Sequence, residues 1–143
     1  MRHKVDGRLF GRPSNQRKAL LRGIVTALFE NQRIETTVAK AKEAKRIAER
    51  MITFGIKGDL HSKRQVLSYV TDRAVASKLF NEIAPRFTGR NGGYLRLVQT
   101  RQRLKDSAPM AILEFVDYEA IKKPKGKAAK TEKSDKAEKK EKA

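Results

Sequence analysis

Residues 33–52, RIETTVAKAKEAKRIAERMI, change their periodicity partway along, and that change decides the fold class. Arg33 to Thr37 alternates and is rich in β-branched side chains, which suits a short strand, and Thr36 or Thr37 can cap the helix that follows. From Val38 the repeat is helical. Ala41, Ala44, Ile47, Ala48, Met51 and Ile52 fall on one side, while Lys42, Arg46 and Arg50, at i, i+4 and i+8, fall on roughly the opposite side. One side is expected to pack and the other to stay charged, with Gly55 and Gly58 ending the helix.

On the N-terminal side, Ser14 reads as the N-cap of a helix whose buried face carries Leu20, Leu21, Ile24, Val25, Leu28 and Phe29. Lys18 and Arg22, one turn apart, flank that face. On the C-terminal side, Asp59 can cap a short third helix through Val70. Asp72 can cap a fourth with Val75, Leu79, Phe80 and Ile83 inward, which Pro85 is expected to stop. A turn-rich loop from Pro85 to Tyr94 leads into the apolar run Tyr94 to Val98, and a second run spans Met110 to Val116. Two such runs joined by Arg101–Ser107 form an antiparallel hairpin with a long basic tip, and the strand near Ile34 can join its edge. The expected fold is α+β: about four helices packed on one face of a small mixed or antiparallel sheet.

The ends differ from this body. Residues 1–13, MRHKVDGRLFGRP, have no repeating apolar face, and with Arg2, Lys4, Arg8 and Arg12 against Asp6 they read as a flexible basic arm that orders along a polyanion. Residues 119–143 are nearly all Lys, Ala and Glu, with Ile121 as their single large aliphatic side chain, and read as a disordered, solvated tail. The folded body is then 14–118, a length that supports one domain with a modest core.

Charge bounds the function. The chain carries 34 Lys+Arg against 16 Asp+Glu, a net +18 that divides as +3 over 1–13, +10 over 14–118 and +5 over 119–143. Self-repulsion of that size calls for a polyanionic partner. With no Cys and only His3 and His61, the sequence offers no thiolate zinc site, no disulfide and no His-centred catalytic set, so no cofactor, metal or enzymatic activity is expected. No stretch approaches the roughly 20 apolar residues of a membrane span, and the N-terminus lacks the apolar core of a secretory signal, which makes a cytoplasmic location the expectation.

Several separate basic elements stand on this cationic chain: the arm with Arg2, His3, Lys4, Arg8 and Arg12; Lys18 and Arg22; the stripe Lys42, Arg46, Arg50; the loop residues Arg86 and Arg90; and Arg101, Arg103 and Lys105 near the hairpin tip. Each alone can be a solvated face. Together they read as an extended RNA surface. The Gly-rich loop can bring backbone N–H groups to a phosphate, although it matches no nucleotide-binding fingerprint and equally reads as a plain turn. Phe87 and Tyr94 read as core before they read as base-stacking platforms.

Met1-Arg2-His3, the Ile34 to Arg46 segment with Thr36-Thr37 and Lys40-Ala41-Lys42-Glu43, Lys78-Leu79-Phe80, Pro85-Arg86-Phe87, Gly92-Gly93-Tyr94 and Ala108-Pro109-Met110-Ala111 occur in an order that closely resembles the bacterial large-subunit ribosomal protein seventeen family. The resemblance covers residues 1–118. It implies a non-catalytic protein that binds large-subunit rRNA near the outer end of the polypeptide exit tunnel, beside other ribosomal proteins, with no membrane or small-molecule partner. The chain departs from the family pattern at Lys105, where the hairpin tip is expected to carry Gly, and at Gln16, where the family often has His. An architectural DNA-binding protein is the alternative, although the body lacks a helix-turn-helix signature. An RNA-processing nuclease ranks third, because no carboxylate pair stands at metal-binding spacing.

Overall fold

A computed structural model describes residues 7–118; Arg2, His3, Lys4 and the tail 119–143 lie outside the described residues. The elements run α1 (Ser14–Asn31), β1 (Arg33–Thr37), α2 (Val38–Lys57), α3 (Leu60–Tyr69), α4 (Arg73–Lys78), β2 (Leu95–Gln102) and β3 (Pro109–Phe115). The three strands form one antiparallel sheet in the order β1-β3-β2. β3 is therefore central, with Leu113 opposite Ile34 on one side and Leu97 on the other. This is the expected α+β fold, with the sheet purely antiparallel and the strand near Ile34 added to the edge of the hairpin.

α2 occupies the middle of the molecule, meeting all three strands, α1, α3 and the end of the α4 run. Small side chains let it come close. Ala41, Ala44 and Ala48 are fully buried, as is Ile52, and Met51 is nearly so. Ile47, expected in the core, is only half-buried, because it sits at the margin where α2 faces α1 rather than the sheet. In α1, Leu21, Val25, Leu28 and Phe29 are buried, whereas Leu20 and Ile24 are intermediate. The remaining volume is filled by an aromatic chain: Phe29 stacks toward Phe115, Phe115 toward Phe87, and Phe87 meets Tyr94 edge-on at 5.3 Å between ring centroids.

Several local signals act differently from their sequence reading. Ser14 is the first helical residue of α1, and Pro13 is the cap, with no side-chain capping bond; a proline at the boundary has no N–H to satisfy. Thr37 caps α2 through backbone geometry alone. Gly55 does not end α2 but lies inside it, where an added Cβ would stand 3.1 Å from Ala84 Cβ, so the absence of a side chain sets how closely the α4 run packs. Gly58, at φ 67°, makes the left-handed cap. Asp59 accepts from the Ser62 N–H at 3.1 Å and caps α3, and hydrogen bonding from the Ser62 side chain, with that N–H adding to it, holds its carboxyl below the usual range. Pro85 does not stop the fourth helical run. The chain widens into a π-turn over Leu79–Ile83, with the Ala84 N–H reaching back five residues to the Leu79 carbonyl, and one last α-turn, Ala84–Arg86, carries Pro85 before Phe87 breaks it.

Residues 7–13 lead into α1 along the body, and Phe10 packs against the core. At the other end of the molecule, β2 runs through Arg101 to Gln102, so the hairpin tip is shorter than its sequence reading. The Arg103 guanidinium donates twice to the Asp106 carboxylate, at 2.8 and 2.6 Å; the Ala108 N–H donates to the same carboxylate, and the Arg103 and Ala108 backbones close the turn. Its one positive φ falls on Ser107, not on Lys105, which is why the tip forms without the glycine the family pattern would place at Lys105.

Two outcomes follow from this packing. Met51→Ala should destabilise the protein by about 2–5 kcal/mol in urea unfolding, and Ile47→Ala by clearly less, since part of the Ile47 side chain is already in water; equal losses would contradict the observed placement of α2. Hydrogen bonds from Arg103, then from the Ala108 N–H, lower the Asp106 carboxyl from 3.8 to about 2. A depressed folded pKa means that the lock is intact above the ordinary carboxylate value and is lost only as pH falls from about 4 through about 2. A carboxyl NMR titration should find the Asp106 midpoint near 2 in the native protein and shifted back toward 3.8 in Arg103→Gln.

Candidate nucleic-acid interface

α1 and α2 cross so that one face of each opens on the same depression. On α2, Glu43, Arg46, Ile47 and Arg50 follow i, i+3, i+4, i+7 and share that face; on α1, Arg17 and Leu21 are one turn apart. With Gly7 and Arg8 they line a cleft of about 220 Å³. Leu21 and Ile47 form its apolar floor. Among the described residues, its rim holds four guanidinium groups and the Glu43 carboxylate.

Glu43 organises that rim. Its carboxylate stands 3.8 Å from Arg8 Nε and 3.9 Å from Arg46 Nη1, with only 16% of the side chain exposed. Both distances are those of ion pairs rather than hydrogen bonds. Glu43 thus tethers Arg8 to α2 electrostatically. Arg17, which the sequence reading passed over, belongs to this cleft; the available signal was its position one turn before the buried Leu21. Lys42 is exposed on α2, and Lys18 on α1, but neither lines the cleft.

The other basic candidates are engaged within the protein. Arg22 lies over the Tyr69 ring at 5.7 Å, joining α1 to α3. Its Nε and the Tyr69 hydroxyl are buried without hydrogen-bond partners among the described residues, and burial pushes the Tyr69 hydroxyl pKa up against the opposing charge of Arg22. Arg86 donates to the Asp117 carboxylate at 3.1 Å, to the Asp117 carbonyl at 3.0 Å and to the Gln32 side chain at 3.2 Å, which ties the end of the α4 run to the segments after α1 and β3. Arg90 donates to the Gly92 carbonyl, and Tyr94 donates back to the Arg90 carbonyl, so both shape the Gly-rich loop. Phe87 and Tyr94 are buried, as core residues. Arg12 donates to the Phe10 carbonyl at 3.0 Å.

At the sheet, Arg101 on β2 pairs with Glu35 on β1 at 3.6 Å, and Arg103 is held by Asp106. Lys105 is exposed at the tip. The structure therefore gathers Arg8, Arg46 and Arg50 with Arg17 in one cleft and distributes Arg22, Arg86, Arg90, Arg101 and Arg103 among internal contacts. No group of three or more His, Asp or Glu side chains among the described residues is arranged to hold a metal ion, and none of the described helices is long and apolar enough to cross a membrane.

Comparison with known proteins converges on one assignment. The family model for ribosomal protein L17 matches residues 20–116. A protein of Thermodesulfovibrio yellowstonii named large ribosomal subunit protein bL17 is 62% identical over 130 residues, covering 91% of this chain and 98% of the relative. The bL17 proteins of Symbiobacterium thermophilum and Desulfotalea psychrophila are 59% and 55% identical, covering 74% and 83% of this chain and 94% and 92% of their own lengths. The matched region takes in α1 from its second turn, α2 with its charged rim, and the whole sheet, and the chain belongs to the ribosomal protein L17 family.

Proposed function

We propose that this chain is a structural constituent of the bacterial large ribosomal subunit, and that it binds large-subunit rRNA through the arginine cleft between α1 and α2 together with the arm that enters it. The observation that carries the reading is the convergence of Arg8, Arg17, Arg46 and Arg50 on one cleft. Guanidinium groups held at a concave rim suit phosphates, which they contact bidentately, and binding releases condensed counterions. The apolar floor of Leu21 and Ile47 gives an unstacked base or ribose a surface to rest on. Relatives that share most of their length with this chain are named as large-subunit proteins, which supports the same assembly here. The family resemblance adds a position near the outer end of the exit tunnel, among neighbouring ribosomal proteins, and a role that is architectural rather than catalytic.

The double substitution Arg46→Glu with Arg50→Glu tests this. Both side chains are exposed, so the circular dichroism and melting of the variant should stay close to native. Binding to large-subunit rRNA should weaken, and the slope of log K against log salt should become shallower by roughly 1 to 2, the change expected for one or two lost phosphate contacts. A folded variant with native affinity and slope would exclude the cleft as the RNA site. Duplex DNA competing as well as rRNA at equal salt would favour the DNA-binding alternative.

A further inference from the structure

The helices cover one face of the sheet, and the opposite face is unlike the cleft. Residues Arg33 on β1, Glu114 on β3 and Arg96 on β2 stand in one row across it. Glu114 is buried between the two arginines, 2.5 Å from Arg96 Nη2 and 3.4 Å from Arg33 Nε. Farther along, Glu35 takes Arg101 and Asp106 takes Arg103. Each of these four arginines already faces a carboxylate. Between and beyond the pairs lie apolar side chains: Val98 is 40% exposed, and Leu104 at the tip is 97% exposed. Leu104, Met110, Glu35, Arg101, Arg103 and Lys105 line a shallow depression of about 310 Å³.

Leu104 is not carried on a loose loop. The double hydrogen bond between Arg103 and Asp106, the Ala108 N–H on the same carboxylate and the Ser107 N–H on the Arg103 carbonyl fix the turn around it. A leucine pinned in water gains nothing in the isolated chain, yet it loses little freedom when inserted into an apolar pocket. A polyanion is a poor occupant for this face. To reach Arg103, a phosphate would have to displace Asp106 from a double hydrogen bond and remain beside that carboxylate, and beside Arg101 it would meet Glu35. A second copy would set Lys105 and the arginines against their equivalents, and residues 119–143, with ten Lys against five acids, would bring more positive charge to a rim already cationic. A different protein meets none of these penalties.

We infer that the sheet face left uncovered by the described residues and the hairpin tip dock a neighbouring protein of the subunit, with Leu104 entering an apolar pocket on that protein and Lys105 meeting one of its carboxylates. The surface is thus divided, with RNA on the α1/α2 cleft and protein on the sheet. The inference rests on the ribosomal reading above, and the test separates the two.

The full chain carrying p-benzoylphenylalanine in place of Leu104 is assembled into large subunits, irradiated, and its adducts are mapped by mass spectrometry, with Arg50→p-benzoylphenylalanine in parallel. The expected result is an adduct from position 104 to apolar residues of another protein and an adduct from position 50 to rRNA. An adduct from position 104 to rRNA, to a second copy or to residues 119–143, or none at all in subunits that contain the chain, overturns the inference alone. Absence of the native chain from purified subunits overturns the ribosomal reading and this inference with it. Leu104→Asp, at a site too exposed to affect folding, should lower retention on salt-washed subunits by about tenfold, the effect of losing one buried leucine, while rRNA affinity of the free protein stays native. Native retention of that variant would also overturn it.

Discussion

The close seating of α2 is the constraint on which the rest of the structure depends. Ala41, Ala44, Ala48 and Gly55 form a face with almost no side-chain height, and this lets one helix touch three strands and the other helices at once. Each alanine buries little area, so the driving force comes from what closes around them: Phe29, Leu113 and Phe115, all fully buried, and Leu79 and Ile83 from the fourth helical run. A larger residue at Gly55 would push back Ala84 and with it the π-turn that admits Pro85. The position of the Gly-rich loop and the start of β2 follow from that turn.

The same helix sets the electrostatics. Its buried face fixes the rotation of α2, and that rotation presents Glu43, Arg46 and Arg50 to the cleft shared with α1. Two carboxylates then act in contrasting ways. Glu43 makes long ion pairs at the edge of the arginine-lined cleft, whereas Glu114 is buried and directly bonded to Arg96, with Arg33 alongside. Removing either arginine would leave an imperfectly compensated charge at the centre of the sheet, where such loss is severe. Glu43 holds Arg8 at 3.8 Å, an ion pair without a direct hydrogen bond.

A net charge of +18 would suit a molecule that binds nucleic acid over its whole surface, but several of its arginines are engaged within the fold. Arg22, Arg86, Arg90 and Arg103 stack on a ring, bridge elements or close turns, and their methylene stems and fixed donors serve the fold as much as any partner. Such use of arginine commits part of the positive charge to the fold.

The sequence alone determined the element types, since the change from a two-residue to a 3.6-residue period at Val38, the Asp caps at Asp59 and Asp72 and the two apolar runs of the hairpin are local signals that act within a few residues. The ordered motifs from Ile34 to Ala111 determined the family for the same reason, being a pattern in chain order that needs no coordinates. Only the tertiary structure decided which cations share a site. Arg17 joined Arg46 and Arg50, Arg86 turned to Asp117, and Arg101 crossed the sheet to Glu35, contacts between residues 29 or more apart in the chain that no local periodicity encodes. The fate of Gly55 and Pro85 was decided there too. Each is a helix breaker by its own backbone chemistry, and each was kept within a helix because close packing against a neighbour, or a widened turn, outweighed the local preference.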